Sequence, residues 1–237
     1  MEKRLFDCDF VFMMFAILCL GAFITTVSGE TLRAPIAQDR TEVKTGIKHD
    51  SSFDAIKKTY TEVNTLAAQF HQKIVISSLK KERTFDGNFL YKRHKGFLWQ
   101  YVSPKVKYFL YDGKYIWQGE DEKPFVQKNK VNKDKTDGTF LFLDLVEDIS
   151  KLDELFNLKH REKAGDMEVL ELVPKKDSTI KLAKVWIDRQ SMVNKIELHE
   201  FTGNINTIEF LSIKVNRPLE DTRFMFKPDK QKEIIER

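Results

Sequence analysis

From Leu66 onward apolar and polar residues alternate, the two-residue period of a strand with one buried face. Leu66, Ala68 and Phe70 begin the pattern, and it continues from Phe85 to Arg93. Further short strands are predicted over 97–101, 106–112, 114–118, 125–128, 168–173, 180–188, 192–200, 204–215 and 223–226. The dipeptides Asp86-Gly87, Asp112-Gly113, Asp137-Gly138, Gly165-Asp166 and Gly203-Asn204 read as turns between several of them. Strands joined by such tight turns pair antiparallel, so the expectation is a meander that curls as it twists into one curved sheet.

A helical period interrupts the strands in two places. Phe53, Ile56 and Tyr60 recur at intervals of three and four, giving one apolar stripe, with Ser51 or Ser52 as the N-terminal cap. Midway, Phe140-Leu141-Phe142-Leu143-Asp144-Leu145-Val146 is nearly continuous in apolar residues, and Lys151-Leu152-Asp153-Glu154-Leu155-Phe156 follows. These predict two short helices, either plain buried core or, with the first helix, a cover across the open side of a curved sheet.

Ahead of this domain, expected over 51–237, Lys3 and Arg4 precede an apolar run from Phe10 to Val27 that ends in Ser28 and Gly29. That is the pattern of a secretory signal over 1–29; the competing reading is a retained membrane helix, for which the run has about the minimum length. Leu18 before Cys19 does not suit lipid attachment, which needs a small residue there. Residues 30–50 are polar, contain Pro35 and keep no period, as in a flexible leader. The chain has 237 residues, 41% hydrophobic and 12% aromatic, enough for a sizeable core. Forty basic against thirty-six acidic residues leave a net charge of +4, spread thinly, which is no argument for a nucleic-acid groove. Cys8 and Cys19 are the sole cysteines, so removal of the signal leaves no thiol, disulfide or cysteine metal site.

Catalytic signals are poor. His49, His71, His94, His160 and His199 stand apart from one another, and there is no nucleophile elbow, dinucleotide fingerprint or phosphate loop. The carboxylates between Asp144 and Glu154 are accounted for by a charged helix edge. An enzyme is not expected, nor is any cofactor or metal.

The aromatic residues are more informative. Phe89, Tyr91 and Arg93 fall on one side of a strand, Phe97, Trp99 and Tyr101 on one side of the next, and Tyr115 and Trp117 share a face of a further one. By themselves such rows are either a filled core or the wall of a hollow. The run Gly87-Asn-Phe-Leu-Tyr-Lys-Arg93, then Phe97-x-Trp99, Pro104 and Asp112-Gly113-Lys114 with Trp117 behind it, resembles the central signature of the LolA outer-membrane lipoprotein carriers of Gram-negative bacteria. Ala68-Gln69-Phe70-His71-Gln72, the apolar helix pair, Leu172-Val173-Pro174-Lys175 and Phe224-Met225-Phe226-Lys227-Pro228 are also similar, so the likeness runs from about Ser51 to the C-terminus.

The resemblance implies an α+β fold, mainly antiparallel β: an incomplete, unclosed β-barrel with a lid of three short helices. It also implies a monomeric periplasmic chaperone that takes acylated lipoproteins from an inner-membrane ABC transporter to an outer-membrane receptor of the same fold. By position it makes Phe70, Phe89, Tyr91, Phe97, Trp99, Trp117, Phe140, Leu141 and Leu143 candidate lipid-binding residues. Arg93 corresponds to the family arginine that holds the lid through backbone carbonyls. His94 stands where many members have proline, and Thr139 where some have the lid proline. The alternatives are an anchored receptor of the same fold and an envelope enzyme acting on lipids or glycans.

Overall fold

The computed structural model describes residues 51–131, 148–176 and 178–236. The expectations for the signal, the leader, Asp137-Gly138 and the helix at Phe140, Leu141 and Leu143 lie outside the described residues. Strands β1 (Thr65–Ile76), β2 (Lys81–Lys92), β3 (Gly96–Ser103), β4 (Lys107–Tyr111), β5 (Tyr115–Glu120) and β6 (Phe125–Lys130) form one meander. A second contains β7 (Phe156–Ala164), β8 (Met167–Pro174), β9 (Ile180–Ile187), β10 (Val193–Glu200) and β11 (Ile205–Val215). Antiparallel pairing of β1 with β11 joins them, Phe70 lying opposite Phe210. A short β12 (Glu233–Glu236) adds parallel to β6 and makes a twelve-stranded sheet whose edges, β12 and β7, are not paired to each other. The barrel is therefore unclosed, mostly antiparallel and poor in helix.

The helix Ser51–Glu62 packs on one face of this sheet, beside the four-residue helix Leu152–Leu155 and the 3-10 turn that leads into it. Its predicted stripe is the buried one: Phe53 and Ile56 join Leu152, Leu155, Leu170 and Leu172 in a cluster over the second meander. A second cluster, rich in aromatic rings, fills the same face of the first meander. The opposite face carries cross-strand ion pairs such as Lys73–Glu82 at 2.8 Å and Lys184–Glu171 at 2.9 Å, together with a small cluster of Leu110, Trp117 and Val126 under the C-terminal segment. The described residues hold two helices, and the three-helix lid is seen only to that extent.

Three readings are corrected. Asp86-Gly87 is no turn: both residues lie inside β2, at a register shift against β3. Gly87 is needed there because a Cβ would come within 2.3 Å of both the Gln100 carbonyl oxygen and the Phe70 ring. Residues 223–226 are not a strand; a 3-10 turn covers Asp221–Phe224, and the two phenylalanines act as anchors, Phe224 buried and Phe226 stacked 3.9 Å from Trp117. Phe156 does not continue the helix before it but opens β7, whose charged run Lys159-His160-Arg161-Glu162-Lys163 hid it from the alternation test. Those exposed charges suit an edge strand, because they discourage pairing with another chain.

Candidate functional site

Between the helix Ser51–Glu62 and the sheet lies a cavity of about 520 Å³. This falls within the range of roughly 300–1,000 Å³ common for small-molecule pockets. Two walls of different chemistry enclose it. Phe89, Tyr91 and Trp99 from β2 and β3, with Phe210 from β11, make an aromatic wall. Leu172, Ala183, Val185, Val193, Ile196, Leu198, Ile208 and Ile213 from β8 to β11 make an aliphatic one. Ile56 and Tyr60 of the helix close the top, and Thr61, Arg93, Asp148 and Ser150 supply the polar side chains. The alternation read along the strands places these residues together, since Ile208, Ile196 and Val185 are successive cross-strand partners.

The aromatic wall is stiff because rings are packed behind it. Phe70 lies 4.3 Å, centroid to centroid, from Trp99, and Phe89 lies 5.3 Å from Trp99. Below them the Tyr101 hydroxyl donates to Oε1 of Gln72 at 2.8 Å, and Nε2 of Gln72 donates to Oδ1 of Asn206 at 2.9 Å. Burial pushes the Tyr101 phenol up and keeps it neutral, which suits a donor in this dry network.

Arg93 reaches from the end of β2 to the C-terminal end of the helix. Its Nη2 donates to the carbonyls of Tyr60 at 2.9 Å, Thr61 at 2.7 Å and Val63 at 2.6 Å, and its Nε donates to Val63 at 3.1 Å. Those carbonyls belong to the turn where a helix leaves acceptors unsatisfied and carries its negative dipole end, so a fixed cation is well matched. Just after β11, Asn216 closes the same end: Nδ2 donates to the Glu62 carbonyl at 3.1 Å and Oδ1 accepts from the Asn64 amide at 2.7 Å. Asn216 escaped the sequence reading, although an asparagine ending a strand, here at φ 55°, is a known signal for the left-handed conformation. Elsewhere the Tyr60 hydroxyl accepts from the Val193 amide at 3.1 Å, and Lys57 pairs with Asp153 beside the short helix. Burial pushes the Tyr60 phenol up to about 12, with a smaller contribution from the Asp188 carboxylate.

Of the candidates named from sequence, Phe89, Tyr91, Trp99 and Arg93 line the cavity together. Phe70 and Phe97 stand one layer back, Phe97 packed between Phe89 at 6.2 Å and Tyr111 at 5.7 Å. Trp117 is not brought to the cavity: it lies on the opposite face, and its indole Nε1 donates to Asp112 Oδ2 at 2.7 Å. Phe140, Leu141 and Leu143 lie outside the described residues. The aliphatic wall was not singled out beforehand, because half-buried aliphatic alternation looks alike under a core and around a hollow. Among the described residues no group of three His, Cys, Asp or Glu side chains could hold a metal ion. The arrangement can take up apolar chains, and its polar groups are engaged in holding the helix and the turns.

Comparison with known proteins gives the same picture. The family profile described as "Outer membrane lipoprotein carrier protein LolA" matches residues 61–227. An outer-membrane lipoprotein carrier protein of Azotobacter vinelandii is 25% identical over 187 residues, 79% of this chain and 89% of the relative. Its counterpart from Nitrosospira multiformis is 24% identical over 192 residues, 81% and 91% of the two chains. Among solved structures, an uncharacterized conserved protein of Thermus thermophilus shares the fold with a TM-score of 0.53 and 9% identity, covering 79% of this chain and 98% of that one.

Proposed function

Since this chain belongs to the LolA family of outer membrane lipoprotein carrier proteins, we propose that it shelters lipoprotein acyl chains in its cavity and carries them across the periplasm. The observation that carries this reading is the 520 Å³ apolar hollow left between helix and sheet. Each methylene withdrawn from water is worth roughly 0.8 kcal/mol, so an acylated protein cannot cross an aqueous compartment without such a shelter. Aromatic and aliphatic walls hold alkyl chains by contacts without fixed direction, which lets the cargo slide in and out with no covalent step. Phe89, Tyr91 and Trp99 make the contact wall, with Phe70 and Phe97 supporting it from behind. Arg93 is the latch, because its bonds to the helix end hold the cover down over the cargo site.

In this reading the cargo comes from an inner-membrane lipoprotein-releasing ABC transporter and goes to an outer-membrane receptor. Residues 1–29 direct export and 51–237 form the carrier domain. The test is to purify the protein from the cell envelope and analyse what accompanies it by mass spectrometry. Co-purifying acylated proteins, lost on treatment with detergent, are expected. Recovery of the protein with no acylated species, together with failure to bind a fluorescent fatty acid, would overturn the proposal.

A further inference from the structure

Three hairpin turns meet at the end of the sheet opposite Arg93. The Ser77 amide donates to Oδ1 of Asn204 at 3.1 Å and the Phe201 amide donates to the Thr179 carbonyl at 3.1 Å, so the β1–β2, β10–β11 and β8–β9 turns form one tip. Two large apolar side chains stand in solvent on it: Leu79, 57% exposed, and Phe201, at 70% the most exposed large apolar residue among those described. Lys80, Lys81 and Lys176 are exposed on the same turns. Nearby carboxylates are engaged locally, Glu82 with Lys73 at 2.8 Å and Glu200 with Thr202 at 2.8 Å and Asn204 at 3.0 Å; Asp177 lies outside the described residues. Thr179, which holds Phe201, is followed by Ile180, a lining residue of the cavity.

We propose that this tip is a membrane contact, seating Phe201 and Leu79 in the interfacial layer of a bilayer that contains anionic lipid. Apolar anchors ringed by lysines are what such a surface binds, since the anchors enter the boundary layer while the cations stay among the phosphates. A protein partner fits less well. Two side chains on separate convex turns offer no pocket and far less than the roughly 1,000 Å² of a specific interface. Taken with the carrier reading, on which this use of the tip rests, contact here brings the Ile180 end of the cavity next to the bilayer.

The test uses the full chain with vesicles of equal parts phosphatidylglycerol and phosphatidylcholine. Because the run from Phe10 to Val27 can itself bind lipid, the readout is local: emission of Phe201→Trp, with wild-type emission subtracted. The expected result is a blue shift and quenching by brominated phosphatidylglycerol, both weakened by salt. Lys80→Glu with Lys81→Glu should weaken the response roughly tenfold or more, because each lysine near an anionic surface contributes several-fold in affinity. Unshifted, unquenched emission at position 201 overturns the proposal, as does a response to envelope protein extract but not to vesicles, which would make the tip a protein-docking site. Phe201→Ser with Leu79→Ser should bind a fluorescent fatty acid like wild type. Failure of the wild type to bind a fluorescent fatty acid, with no acylated protein co-purifying, would defeat the carrier reading and leave the vesicle result standing.

Discussion

Arg93 ties the end of the helix Ser51–Glu62 to the end of β2 through one side chain. Four contacts from its guanidinium to the carbonyls of Tyr60, Thr61 and Val63 hold the helix end, and each bond from a charged donor is worth about 1.5–3 kcal/mol when undisturbed by solvent. The group is only half-buried, so Arg93→Leu is expected to cost about 2 kcal/mol and to speed hydrogen exchange at residues 60–64 before the sheet is affected. Arg93→Lys should restore less than half, because a single ammonium nitrogen does not reproduce the spaced Nε and Nη2 donors of the planar guanidinium. Wild-type exchange in Arg93→Leu would remove the latch role. Gly87 matters for the opposite reason, that nothing fits there: with a Cβ 2.3 Å from a backbone oxygen, Gly87→Ala should lose about 3 kcal/mol in denaturant unfolding. Arg93 was legible in the sequence through its neighbours in a recognisable run. Gly87 was misread as a turn residue, because composition does not distinguish a glycine that bends the chain from one that lies under a ring.

The helix is held to the sheet by buried side chains along its length and by polar contacts at several points, and Tyr60 belongs to both sets. Its phenol is shifted from 10 to about 12, mainly by burial, so the neutral form is favoured in the folded state. That contribution is fully present below pH 10 and is lost as pH rises through about 12. A shift of this size corresponds to roughly 3 kcal/mol. Loss of helix packing, followed by near-ultraviolet circular dichroism, should therefore begin above pH 10 in the wild type and shift upward in Tyr60→Phe; identical alkaline transitions would disprove the assignment. Apart from β7, the strands of both meanders were readable because their side chains alternate between a dry and a wet face. β7 and β12 were not: an edge strand exposes most of its side chains, and its backbone pairing leaves no mark on composition.

At the scale of the molecule the cavity follows from a mismatch of sizes. Among the described residues, a sheet of twelve strands offers more inner surface than the helices Ser51–Glu62 and Leu152–Leu155 cover, and the cluster under the helices and the aromatic cluster of the first meander leave a hollow between them. Ala183, buried and facing that hollow, tests it directly. Ala183→Phe should fill the space, lower affinity for a fluorescent fatty acid by about tenfold or more, and change stability by less than about 2 kcal/mol. Unaltered binding in a folded variant would place the acyl chains elsewhere. Periodicity and turn chemistry along the chain determined the antiparallel meander, the helix stripe and the aromatic rows, because each is set by neighbours in sequence. The pairing of β1 with β11, the position of Trp117 on the far face, the Asn216 clamp and the presence of space rather than filled core were decided by tertiary structure alone. They depend on which distant residues meet and how well their volumes match, and a local pattern carries no information about either.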